Sequence, residues 1–151
     1  MALMSVAEAL RQVLEHAAGR FVDLVVRPAL KAPRGERRIR ALFDRWIDWP
    51  EASGLVGCLF VAVSSELDDR PGPARDVLVR QQRDWLETIA NVVRTAIAEG
   101  ELRKDVDPEQ LAFELYGIGL IYHMSVRLLG DPRAQTRARK AFDSLVARAR
   151  V

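Results

Sequence analysis

The chain has 151 residues, of which 49% are hydrophobic and 29% are charged, and its formal net charge is +2 at pH 7. This composition is typical of a globular protein, and a chain of this length can fold without a disulfide or a structural metal. The longest apolar stretch, residues 54–63, is far below the ~18 residues that a membrane span requires. The single cysteine, Cys58, and the lack of a secretory signal before Glu8 favour a cytoplasmic location.

The first predicted helix runs from about Ser5 to Val26. Ser5 and Glu8 have the spacing of a capping box, and Pro28 is expected to stop the helix. Its apolar residues recur at steps of three and four, namely Leu10, Leu14, Ala17, Phe21 and Leu24.

Two shorter helices are predicted next. The second covers roughly residues 34–48 and is expected to end at Pro50. Its apolar stripe consists of Ile39, Leu42, Phe43 and Trp46. The third, near residues 55–67, is short and apolar enough to resemble a buried strand, but its Ala, Ser and Leu content favours a helix.

The fourth predicted helix is the longest and runs from about Pro73 to Glu99. The turn at residues 68–73 precedes it, and Gly100 is expected to end it. Its inward residues are expected to be Leu78, Trp85, Ile89, Val92, Val93 and Ala96.

Two Asp-Pro pairs, Asp107-Pro108 and Asp131-Pro132, predict the starts of the last two helices. An aspartate accepts from free N–H groups of a first turn, and proline is tolerated at the first helical position. Gly130 is expected to close the preceding helix in a left-handed conformation. The helices are therefore predicted at about 108–129 and 132–150, and the fold as an all-α bundle of about six helices in one domain, residues 1–151.

The helix at 108–129 is apolar on two opposite sides, so neither long face is a water face. One side can face the core of its own domain, and the other can face a second copy of the chain. Gly117 and Gly119 would let a partner backbone come close. A central helix surrounded within one domain remains the alternative.

Residues that could carry catalysis or bind metal are few. The two histidines, His16 and His123, lack metal-ligand spacing, and Ser64-Ser65-Glu66 has no nearby base. His16 is expected at the surface, Cys58 as a small buried apolar residue, and His123 either in packing or as a polar contact in a pocket. We therefore expect neither an enzyme nor a bound cofactor or metal.

Basic residues cluster on the second and last predicted helices. They could contact phosphates, but the net charge is small and acidic residues are interspersed, so a solvated arginine-rich face is favoured over a nucleic-acid site. No recognition helix can be identified, and we expect no sequence-specific DNA binding.

Five sequence blocks occur in an order and spacing that resembles a known family. They are GCLFVA at 57–62, ELDDRPGP at 66–73, AEGEL at 98–102, DVDPEQLAFELYG at 105–117 and LGDPRA at 129–134. Together they resemble the C-terminal effector domain of TetR-family transcriptional regulators, over nearly the whole chain. That family carries a helix-turn-helix head ahead of this domain, and nothing in residues 1–151 resembles the head.

The resemblance implies a ligand-sensing and dimerisation domain of a repressor, whose connecting helix begins near Ser5. A small ligand would enter a cavity among the central helices and shift that helix, and DNA would be contacted only through the head. The expected ligand is a largely hydrophobic, neutral molecule of unknown identity. The alternative is a free-standing helical protein-interaction module with no small-molecule ligand.

Two sets of site residues are expected. The inward aromatic residues and one histidine are expected to form the ligand pocket: Phe21, Trp46, Phe60, Trp85, Tyr116, Tyr122 and His123. The two-sided helix and the resemblance together predict a two-fold homodimer through the last two helices, with contacts at Phe113, Gly117, Leu120, Met124, Phe142 and Leu145.

Overall fold

The computed structural model describes residues 3–52 and 58–151, and within them it shows six helices and no strand, which confirms the predicted all-α fold. Helix α1 has three consecutive segments: Val6–Phe21 is α-helical, Val22–Val26 is a π turn and Arg27–Leu30 is again α-helical. The others are α2 (Glu36–Ala52), α3 (Leu59–Leu67), α4 (Pro73–Ala98), α5 (Pro108–Arg127) and α6 (Ala134–Ala149). The first residues of the predicted third helix, 55–57, lie outside the described residues.

Helix α1 does not stop before Pro28 as predicted. The Arg27 N–H donates to the carbonyl of Val22, five residues back, which defines the π turn. Pro28 then falls in the first turn of the last α-helical segment, where its missing N–H does little harm. Because the wider turn resets the hydrogen bonding, the helix passes the proline and ends at Leu30.

Helix α2 also continues past the expected stop, since Pro50 lies inside it. A proline inside a helix costs about 3 kcal/mol or more. The turn around Pro50 buries two indoles, because Trp46 and Trp49 both lie in the core. Burying a large side chain is worth about 1.5–3 kcal/mol, so tertiary packing offsets the local preference of proline to end the helix.

The helix ends around α5 follow the sequence closely. Gly100 and Gly130 both have the predicted left-handed conformation, with φ of 78° and 58°. Asp107 caps α5, since its Oδ1 accepts from the N–H groups of Glu109 and Gln110 at 3.0 and 3.3 Å. The last helix begins later than predicted, because the Asp131 carboxylate caps a turn at Arg133 and the helix starts only at Ala134.

Helix α4 is the central element, because it packs against α1, α2, α3 and α5, and α5 packs in turn against α6. At the middle of this arrangement lies a group of rings in mutual contact, which we call the aromatic cluster. It consists of Phe21, Trp46, Trp49, Phe60, Trp85 and Tyr116. No helix in the described part of the chain is long and apolar enough to cross a membrane.

Candidate ligand cavity

A cavity of about 240 Å³ lies between α2, α3 and α5, beside the aromatic cluster. Apolar groups make up most of its wall, and a few polar groups converge on it, as in most small-molecule sites. The lining residues are Trp46, Ile47, Pro50, Glu51, Cys58, Val61, Gly119, Tyr122, His123, Val126 and Arg127.

Trp46 forms the wall between this cavity and the rest of the core. Its ring stacks on Tyr116, with centroids 5.4 Å apart, and meets Trp85 edge-on at 5.5 Å. On its other side Trp46 packs directly on the backbone of α5 at Gly119. Gly119 therefore makes room for an indole of its own chain, whereas the sequence suggested that it would admit a partner backbone.

His123 is the central polar group of the cavity. Its Nδ1 accepts a hydrogen bond from the backbone N–H of Cys58 at 3.4 Å, which ties α5 to the start of α3. Burial, followed by the charge of Arg127, lowers the pKa of His123 below its ordinary 6.5. The imidazole is therefore neutral at pH 7.

The remaining polar groups of the cavity are a phenol and two charges. Burial, followed by the carboxylates of Glu51 and Asp48, raises the pKa of Tyr122 above its ordinary value. Glu51 and Arg127 are exposed, and neither forms an ion pair with another described residue. Burial also raises the pKa of the Cys58 thiol, which favours the uncharged form.

The structure divides the predicted pocket residues among several places. Trp46, Tyr122 and His123 line the cavity. Tyr116 lies behind Trp46, where its hydroxyl donates to Gln82 and burial raises its pKa to about 12. Phe60 packs against Phe21 and Trp49 in the core. It lines neither this cavity nor the second cavity described next.

Phe21 and Trp85 line a second cavity instead, of about 310 Å³, between α1 and α4. The indole N–H of Trp85 is buried and has no hydrogen-bond partner among the described residues. The seven predicted residues therefore do not surround one pocket. Most of them belong to the aromatic cluster, and a cavity lies on each side of it.

Sequence reasoning missed most of the cavity wall, including Gly119, Cys58 and Val61. The apolar members had no distinguishing signal, because a valine facing a void and a valine facing the core occupy the same helical phase. Gly119 did carry a signal. A glycine inside an apolar helix is unfavourable by roughly 1 kcal/mol, which indicates a close contact.

The predicted dimer contacts fall into two groups. Phe113, Gly117, Leu120 and Met124 are exposed on one side of α5, with Phe113 72% and Leu120 40% accessible. Ile121 and Leu128 extend this exposed stripe, to which we refer below as the α5 stripe.

Phe142, in contrast, is buried in its own chain, so its assignment to a surface contact is corrected. Leu145 is also largely buried, but it lines a surface groove between α5 and α6. Phe142 stacks on Phe43 of α2, with centroids 4.4 Å apart, and is fully buried. The apolar stripe of α6 packs that helix against the bundle. The residues that α6 exposes to solvent include Ala141 and Ser144.

Several arginines of the two basic clusters pair with acids of the same chain. Arg40 binds Asp143 at 2.8 Å, and Arg139 binds Asp44, so two pairs join α2 to α6. Arg150 binds Glu36, which lowers the pKa of that carboxyl. These ion pairs link α2 to α6 and to the residue that follows α6.

The family profile described as "Tetracyclin repressor-like, C-terminal domain" matches residues 35–142. The chain belongs to this family, and the resemblance seen in the sequence blocks is thereby confirmed. No curated protein matches the chain.

Solved structures of TetR-family regulators share the fold. A TetR-family transcriptional regulator from Streptomyces coelicolor is 15% identical, with a TM-score of 0.77 over 94% of this chain and 71% of its own. The regulatory protein TetR from Rhodobacter sphaeroides is 22% identical, with a TM-score of 0.72 over 93% of this chain and 74% of its own. A TetR transcriptional regulator from Chloroflexus aurantiacus is 27% identical, with a TM-score of 0.72 over 89% of this chain and 67% of its own.

Proposed function

We propose that these 151 residues form the ligand-sensing and dimerisation domain of a TetR-like transcriptional repressor. The observation that carries the proposal is the cavity of about 240 Å³ beside the aromatic cluster, which lies between three helices of the effector-domain fold. Its largely apolar wall suits a small hydrophobic effector, and its few polar groups can orient one. No catalytic activity is proposed.

A chain of ring contacts leads from this cavity to helix α1. Trp46, on the cavity wall, meets Trp85 at 5.5 Å, and Trp85 meets Phe21 edge-on at 4.9 Å. Phe21 is the last residue before the π turn of α1. An effector that displaces Trp46 would therefore press on α1 at its least regular point. By linkage, an effector that weakens DNA binding of a whole regulator must itself bind the DNA-bound form less well.

The α5 stripe is proposed as the dimer contact. A surface groove between α5 and α6, bounded by Gly117, Ile121, Ala141 and Ser144, lies beside it. In a two-fold dimer the same patch faces itself, so apolar side chains of one stripe could enter the groove of the partner. Leu145 lines the same groove and would meet the partner's side chains there, whereas Phe142 would support this surface from below.

We propose that the protein is cytoplasmic. We also propose that it contacts DNA only through a helix-turn-helix segment of the kind that the family carries. Within residues 3–52 and 58–151, Arg40, Arg139 and Arg150 are held by acids, which leaves fewer free cations for phosphates. The alternative function is a helical interaction module that uses the α5 stripe and binds no small molecule.

A pair of matched variants can test ligand sensing. Val61 lines the cavity beside Trp46, and Val22 lines the second cavity, and neither valine is fully buried. A library of small apolar compounds would be screened by tryptophan fluorescence and melting temperature. A compound present at a hundred times its Kd should stabilise the fold by about 2.7 kcal/mol.

Val61→Phe should abolish the fluorescence and melting responses by filling the cavity, whereas Val22→Phe should keep them. If no compound shifts the melting temperature of the parent chain, ligand sensing is rejected and the interaction module remains. If Val22→Phe alone abolishes the response, the sensing site is the second cavity and our assignment is wrong.

A further inference from the structure

The hydrogen bond to His123 indicates which of its ring nitrogens carries the proton. The backbone N–H of Cys58 donates to Nδ1, and a nitrogen that accepts a hydrogen bond must have a free lone pair. In the neutral imidazole the proton then resides on Nε2. The residue therefore offers the cavity a hydrogen-bond donor and no acceptor.

This donor has no partner in the described part of the chain. Within residues 3–52 and 58–151, the only hydrogen bond of His123 is the one through Nδ1, so Nε2–H lacks an acceptor among these residues. His123 is half-buried and lines a space whose other walls are mainly apolar. A ligand without an acceptor would displace water from this N–H and leave the N–H without a hydrogen bond, at a cost in affinity. A ligand with an acceptor oxygen avoids that cost, so the N–H is a specific attachment point.

The charges around the cavity do not favour an ionic ligand. Glu51 comes from α2 and Arg127 from α5, and the described lining residues of α3 carry no charge. One acid and one base thus line the cavity, and both are exposed to solvent. Asp48 and Arg139 also act on Tyr122 with opposite signs. A charged head group would be attracted by one member of each pair and repelled by the other, so neither sign of charge is favoured.

Resting on the function proposed above, we propose that the effector is a small neutral apolar molecule bearing a carbonyl-type acceptor, which binds the Nε2–H of His123. The acceptor can be a ketone, an ester or a lactone oxygen. The hydrocarbon part lies against Trp46, Val61 and Val126, which line the same cavity.

Four benzene derivatives of similar size test the proposal on the unmodified chain. Acetophenone has the carbonyl, ethylbenzene lacks any acceptor, benzoate is an anion and α-methylbenzylamine is a cation at pH 7. Binding would be followed by tryptophan fluorescence. A net hydrogen bond is worth about 0.5–1.5 kcal/mol, so acetophenone should bind roughly two- to tenfold tighter than ethylbenzene and tighter than either ion.

Nitrogen NMR gives a direct readout of the same group. The spectrum should show His123 with Nδ1 bare and Nε2 protonated, and acetophenone should shift the Nε2 resonance while ethylbenzene should not. His123→Phe should remove the advantage of acetophenone and leave the affinity for ethylbenzene nearly unchanged. The comparison of the four compounds on the parent chain stands even if this variant fails to fold.

The outcomes separate the two proposals. Equal binding of acetophenone and ethylbenzene, or tightest binding of benzoate or of the amine, overturns the carbonyl proposal and leaves ligand sensing intact. A proton found on Nδ1 overturns it as well. If the wider library of apolar compounds produces no response at all, the sensing function itself fails.

Discussion

The benzo ring of Trp46 lies on the backbone of Gly119 so closely that no other residue fits there. A Cβ atom placed on Gly119 would come within 1.9 Å of Cη2 and 2.1 Å of Cζ3 of the indole. A shift of the indole away from Gly119 would disturb its stacking on Tyr116 and its edge contact with Trp85. This contact links the cavity wall to α5.

We therefore predict that Gly119→Ala destabilises the fold. Overpacking a core typically costs about 1–3 kcal/mol, which exceeds the gain of roughly 1 kcal/mol from replacing glycine inside a helix. Gly19→Ala is the matched control, because Gly19 lies within α1 and a Cβ there has open space around it. Urea denaturation should show Gly119→Ala less stable than the parent and Gly19→Ala slightly more stable. Equal stability of the two variants would refute the contact.

Leu120→Arg should convert a dimer into a monomer without unfolding the chain. Leu120 lies on the α5 stripe and is 40% accessible, so an arginine can reach water in the free chain but would be buried in a two-fold contact. Val13→Arg is the control, because Val13 is an exposed apolar residue of α1, away from the stripe. Light scattering should give the mass of one chain for Leu120→Arg and of two chains for Val13→Arg. A dimer that survives Leu120→Arg shows that the stripe is not the interface.

The acid sensitivity of the fold should include a contribution from His123. The pKa of His123 is lowered in the folded state. Above the ordinary value of 6.5 the imidazole is therefore neutral in both the folded and the unfolded chain, and the free energy of unfolding does not change through this group. As the pH falls through 6.5 the unfolded chain takes up the proton first, and the free energy of unfolding decreases until the folded imidazole is also protonated. His123→Gln should reduce this slope in denaturation series below pH 6.5.

His16→Gln serves as the control for the pH series, because His16 is exposed on α1 and its replacement leaves the His123 contribution in place. The carboxyl groups whose pKa values are lowered, Glu8, Glu36 and Asp131, lose their stabilising effect only in a more acidic range. An unchanged slope in His123→Gln would mean that His123 has the same pKa in both states.

Removing the cap of α5 should also weaken the fold. Asp107→Ala deprives the N–H groups of Glu109 and Gln110 of their acceptor, at a cost of about 0.5–2 kcal/mol. Asp107→Asn keeps an oxygen in place and should be close to the parent. Thermal melting followed by circular dichroism would measure both, and a loss of stability in Asp107→Asn equal to that in Asp107→Ala would contradict the capping account.

The helices could be predicted because their apolar periodicity agrees with how they pack, and Gly100, Gly130 and Asp107 mark their ends through local geometry. Pro28 and Pro50 misled the prediction, since a π turn and the burial of two indoles outweigh a local helix-stop signal. The wider turn and the burial of the indoles are features of the folded chain that neither proline by itself reveals.

The candidate site was harder to predict than the fold. Aromatic residues with an inward phase were identified, but phase alone does not distinguish a ring that lines a cavity, such as Trp46, from one that fills the core, such as Phe60. The same limit applied to α6, where Phe142 has the right character for an interface and is buried within its own chain.

The π turn of α1 sets how the buried residues before and after it are oriented toward the core, so the number of residues in this helix matters for packing. Phe21, Val25 and Ala29 are buried and recur every four residues, a longer repeat than the 3.6 residues of an α-helical turn. Deleting one residue from Val22–Val26 would restore regular hydrogen bonding, but it would turn the two ends of α1 by about 100° relative to each other. The first segment could then no longer pack on α4 while the last segment packs on α2. Homologous chains should therefore tolerate substitutions in this segment far better than a single-residue deletion.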